Sequence, residues 1–93
     1  MFNERIKQLR EEQGLPLRKL AAALDIDTAS YCKIEKGERR ARKEYIPVIA
    51  GFLQADEREL LTLWLADQVT ATVADEKELS SDVLKIAKQN LKK

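Results

Sequence analysis

The sequence predicts an all-α domain of five helices with an additional helix at its C-terminal end, and three observations carry that expectation. Apolar residues recur every three or four positions, as in Phe2, Ile6 and Leu9 or in Leu20, Ala21 and Leu24, which is the period of a helix with one face turned inward. Two prolines and three glycines in 93 residues leave few places where a helix must stop. The stretch LAAALDIDTASYCKIEKG, from Leu20 to Gly37, reads as two short helices joined by a turn that neither pattern crosses. A chain of this length with 44% apolar residues makes one small domain with a modest core.

The elements follow in order. Helix one is expected over about Asn3 to Gln13, capped by Asn3, with Phe2, Ile6 and Leu9 inward and Gly14 as the left-handed stop. Helix two takes Leu17 to Leu24. Asp25 accepts the left-handed turn more readily than most residues, Ile26 plugs it, and Asp27 caps helix three. Helix three turns Tyr31 and Ile34 inward, ends at Gly37, and leaves Thr28, Ala29, Cys32, Lys33 and Lys36 outside. Short side chains and two lysines on one helical face form a surface shaped for a DNA major groove.

Helix four is expected over about Lys43 to Leu53, with Pro47 near its first turn, where a missing donor costs little. Asp56 and Glu59 form a capping pair for helix five. Leu60 to Ala66, LLTLWLA, is apolar almost all the way round, more than one face on one small core absorbs. A second buried surface is therefore expected, built from Leu61, Trp64 and Leu65 with Val83, Leu84, Ala87 and Leu91 of the last helix. VTATVAD is weak helix material and DEKELSS reads as a connector. The last helix is then capped by Ser80 or Ser81 and carries Lys85, Lys88, Lys92 and Lys93. The organisation expected is a DNA-binding unit over 1–66 and a helical, dimerising extension over 67–93.

Net charge is only +1, but it is unevenly spread. Residues 1–53 hold eleven Lys or Arg against eight acids, a net of +3, and residues 54–93 hold six against eight, a net of −2. Lys33 to Lys43 alone contains six basic residues and two glutamates, so the positive field sits beside helix three. One Cys and no His build neither a zinc site, nor an internal disulfide, nor a His-based catalytic constellation. No metal, no cofactor and no enzymatic activity are expected. The lone thiol suits a reducing compartment, MFNERIKQLR is too charged for a signal peptide, and no apolar run is long enough for a bilayer. These features lead to the expectation of a cytoplasmic protein without a membrane partner.

Residues 5 to 53 resemble the Xre/Cro family of bacterial and phage repressors, which includes the controller proteins of restriction-modification operons. RxxxLR at Arg5 to Arg10, Gly14, LAxxL at Leu20 to Leu24, IEKG at Ile34 to Gly37 and the apolar stretch ending in Phe52 and Leu53 fall at that family's spacing. The resemblance implies a Cro/repressor-like helix-turn-helix bundle that binds double-stranded DNA as a homodimer. It implies base reading by Thr28 and Lys33, apolar contact from Ala29 to thymine methyls, and a small neutral group at Cys32, where the family often has serine. Lys36, Arg39, Arg40, Arg42 and Lys43 would meet phosphates. Arg18 and Lys19 join them, because two cations in a first turn oppose the helix dipole and favour a phosphate neighbour. Arg10 and Glu35 match the family's internal ion pair, a structural feature.

The chain also departs from the family. Pro16 and Leu17 replace the usual capping residue and glutamine, Asp25 replaces a glycine, and Ala41 replaces a proline that commonly follows the basic loop's glycine. The leading expectation is a dimeric regulator of a small operon on a palindromic operator. The alternative is an antitoxin-like module that neutralises a protein partner through the C-terminal helices and autoregulates its operon.

Overall fold

The computed structural model describes residues 1–92, which form six helices and no strand; Lys93 lies outside the described residues. They are α1 (Phe2–Glu12), α2 (Leu17–Leu24), α3 (Thr28–Glu35), α4 (Tyr45–Leu53), α5 (Glu57–Val73) and α6 (Lys77–Leu91). The all-α expectation holds, with five helices on one core and a sixth appended. Phe2 and Ile6 of α1, Leu20 and Leu24 of α2, Tyr31 and Ile34 of α3, Ile46, Ile49 and Leu53 of α4 and Leu60 of α5 are all buried together. Each large side chain so enclosed is worth about 1.5 to 3 kcal/mol relative to exposure. Among the described residues, α6 packs only on α5 and buries none of its own.

The junctions are set by a few residues. Gly14 leaves α1 at φ +66°, where a Cβ is costly. Asp25 takes the left-handed conformation, φ 57° and ψ 43°, and the Ile26 N–H then donates back to the Ala21 carbonyl at 3.0 Å, closing α2. The Asp27 side chain accepts from the Ser30 N–H at 2.6 Å and so caps α3. That hydrogen bonding holds the Asp27 carboxyl below the usual carboxylate range. Gln54 closes α4 in the same left-handed way as Asp25, at φ 55°.

Several boundaries differ from expectation, each for a local reason. α1 begins one residue early, with Met1 at its cap position, because Asn3 is occupied elsewhere: its Nδ2 donates to the Glu35 carbonyl at 3.1 Å. Asp56 caps α5 through the Arg58 N–H at 3.0 Å, but Glu59 pairs with Arg5 at 3.0 Å instead of reaching back. α5 runs on through VTATV and across residue 66. β-branched residues cost only tenths of a kcal/mol each, about 0.7 at most, and the Thr70 and Thr72 hydroxyls donate to carbonyls one turn back, each at 2.9 Å. α6 starts at Lys77, so Ser80 lies inside it, donating to the Lys77 carbonyl at 2.9 Å.

Candidate nucleic-acid interface

α3 is tied to α1 by an ion pair between the buried Glu35 and the largely enclosed Arg10. Arg10 Nε donates to Glu35 Oε2 at 2.8 Å and Nη2 donates to Oε1 at 3.0 Å, the planar two-point geometry that guanidinium favours. The third branch of Arg10, Nη1, donates to the Leu15 carbonyl at 2.7 Å, so one side chain ties α1 to both α3 and the entry into α2. The carboxylate's hydrogen bonds raise the Arg10 pKa above its ordinary value. The neighbouring Tyr31 hydroxyl is buried without a hydrogen-bond partner among the described residues. Burial pushes that hydroxyl above the usual phenol range, and the Glu35 carboxylate adds to the shift.

On the outer side of α3, Thr28, Ala29, Lys33 and Lys36 are exposed. Cys32 is half-buried, in a groove shared with Lys7, Arg10, Leu17, Glu35 and Lys36. Arg18 and Lys19 are exposed in the first turn of α2, whose N-cap is Pro16 and whose first N–H groups have no side-chain cap. Those N–H groups and the two cations make a positive helix end. In the loop after Gly37, at φ +79°, Arg39 Nη1 donates to the Ser30 hydroxyl at 3.2 Å and lies over the start of α3. Arg42 and Lys43 are exposed.

Arg40 reaches the other way. Its guanidinium stacks on the Trp64 ring, 4.0 Å from the centroid, and Nη2 donates to the Trp64 carbonyl at 3.3 Å and to Gln68 Oε1 at 3.0 Å. The basic cluster therefore divides into cations beside α3 and one cation spent on α5. Ser30, Trp64 and Gln68 were not legible as partners of this loop, since contacts across 9, 24 and 28 residues leave no local signal.

The residues expected at a second buried surface are only partly free for it. Leu61 and Trp64 are half-buried against the core, whereas Leu65, Val83, Leu84, Ala87 and Leu91 are exposed. Most of LLTLWLA finds its cover within this one chain, with Leu60 fully enclosed and Leu63 beside it. The uncovered apolar surface lies farther along, on Leu65 and Val69 of α5 and on α6, where Leu79 and Ile86 are also exposed.

No group of three or more His, Cys, Asp or Glu side chains among the described residues is placed to hold a metal ion. None of the helices described is long and apolar enough to cross a membrane.

A short helix on a tight turn, its outer face small and cationic and its flank tied to α1 by an ion pair, defines the class of helix-turn-helix DNA-binding proteins. The helix-turn-helix family model matches residues 6–60, and the chain belongs to that family, of the Xre/Cro type. Membership supports the general function of a DNA-binding transcriptional regulator. No curated protein and no solved structure matches the chain.

Proposed function

We propose that this protein is a sequence-specific regulator that binds a palindromic operator as a homodimer, as the repressor or autoregulating controller of a small operon. α3 enters the major groove, Lys33 donates to guanine acceptors, Thr28 contacts base edges, and Ala29 meets thymine methyls. Cys32, half-buried at the edge of that face, packs as a small neutral group. Arg18 and Lys19 at the open end of α2, with Lys36, Arg39, Arg42 and Lys43, neutralise phosphates on either side. The observation that carries this reading is the exposed face of Thr28, Ala29, Lys33 and Lys36, held at its edge by the Arg10–Glu35 pair and flanked by exposed cations.

The second copy is argued from α6. A 15-residue helix that buries none of its residues sits at the margin of stability by itself. Its exposed Leu79, Val83, Leu84, Ile86 and Leu91 need cover. One α3 reads only a few base pairs, and two copies related by a two-fold axis read half-sites about 34 Å apart or a multiple of it. Covering α6 with the same surface of a second copy meets both needs.

Titration of a labelled mixed-sequence duplex of about 30 base pairs, followed by anisotropy and light scattering at several salt concentrations, tests the reading. Salt-sensitive binding by two chains per duplex is expected. A complex with one chain, or no duplex binding at low salt, contradicts it.

A further inference from the structure

The loop between α3 and α4 is held to α5 by two reciprocal contacts. From the loop, Arg40 stacks on Trp64 and donates to the Trp64 carbonyl and to Gln68. From the helix, Trp64 Nε1 donates back to the Ala41 carbonyl at 2.9 Å. The two contacts share adjacent loop residues and one aromatic side chain, so movement of the Trp64 ring disturbs both. Ala41, next in the chain, is buried against the core and anchors the loop beyond Arg40. On the near side, Arg39 reaches back to Ser30 in α3. A cleft of about 380 Å³ lies beneath the arrangement, between the start of α1, this loop and α5. Without the clasp, that space leaves the loop room to move.

We propose that Arg40 and Trp64 form a clasp that positions the basic loop for DNA and couples it to α5, making Arg40 a positioning residue instead of a phosphate ligand. This rests on the DNA-binding reading given above. The chemistry favours the role: a planar guanidinium stacks well on an aromatic face, and indole is the best of those faces for a cation. Its two hydrogen bonds to α5 both come from Nη2, so the stack and these bonds turn one face and one edge of the guanidinium toward α5 and away from the α3 face. Arg39, Arg42 and Lys43 are then displayed on a loop whose path is already ordered, so less conformational freedom is lost on binding. Because α5 also leads into α6, the clasp links the DNA contacts of one chain to the surface proposed to meet its partner.

The chain has one tryptophan, so its own fluorescence reads the clasp in the full-length free protein, independently of DNA. Arg40→Ala should shift the Trp64 emission to the red and increase its quenching by acrylamide; unchanged emission and quenching overturn the clasp. On the mixed-sequence duplex, Arg40→Ala and Trp64→Leu should each weaken binding about two- to five-fold, the factor of one exposed cation–π contact. The double variant should be no weaker than the worse single one. The slope of log K against log salt should stay that of the parent. A slope reduced by about one unit in Arg40→Ala, effects that multiply in the double variant, or unaltered binding would each overturn the positioning role. If Trp64→Leu fails to fold, Gln68→Ala replaces it in the cycle with the same expectations. Failure of the parent to bind the duplex would count against the DNA-binding reading, and the emission measurement would still decide the clasp.

Discussion

Arg10 and Glu35 meet as a two-point ion pair across α1 and α3, at 2.8 and 3.0 Å, with side-chain exposures of 12% and 4%. The pair stands at the flank of the α3 face proposed to read DNA, in the groove that Cys32 and Lys36 also line, so its loss is both a stability and a geometry problem. Glu35→Ala leaves a guanidinium buried without its carboxylate. A destabilisation of about 3 kcal/mol is expected, seen as a drop in Tm of more than about 10 °C for a domain of this size. A Tm within a degree or two of the parent would show that the pair is dispensable. Replacing both members by apolar residues should recover much of the loss, because the cost lies in the unpaired charge.

Lys33 is exposed near the middle of α3, where a major-groove helix meets base edges. On the preferred duplex Lys33→Ala should cost about 1 to 3 kcal/mol and relax preference at one base position in each half-site. Tm should be unaffected, since the side chain supports nothing in the core. Unchanged base preference would remove Lys33 from the reading set.

Arg42 carries the contrast with Arg40. It is exposed and bound to no side chain of α5, so neutralising it should weaken binding to all duplexes alike and flatten the salt slope by about one unit. Equal slopes for Arg42→Gln and parent would place this arginine in solvent.

The dimer is tested on α6 without cutting the chain, because truncation at residue 66 would sever α5 just before Asp67, whose carboxylate accepts the Phe2 N–H at 2.9 Å. Leu84 is 44% exposed and outside the core, so Leu84→Lys leaves the fold intact while placing a charge on the proposed two-fold contact. Light scattering at micromolar concentration should find the parent dimeric and the variant monomeric, with weaker duplex binding for the variant. A monomeric parent contradicts the dimer.

The fold was readable wherever a local rule governs it. The left-handed turns at Gly14 and Asp25, the Asp27 cap and the inward stripe of Tyr31 and Ile34 depend on neighbours a few residues away, and all appear as expected. Asn3 has the chemistry of a cap, but its side chain is drawn to the Glu35 carbonyl, 32 residues on, which no local rule encodes. The end of α5 and the start of α6 depart from what their residues suggest, because serine and threonine also sit inside helices when their hydroxyls bond to the preceding turn. At the candidate interface the exposed face of α3 follows from helical spacing. The division of the arginine cluster between Ser30 and Trp64 depends on tertiary contacts that spacing does not encode.

Selection of bound sequences from a random duplex pool by the full-length chain tests the central claim, that α3 of two paired copies reads a specific operator. The expected result is a two-fold symmetric motif whose half-sites lie about one helical turn apart, about 34 Å, or a multiple of that distance. Recovery of unenriched sequences, or of a motif without two-fold symmetry, would contradict it.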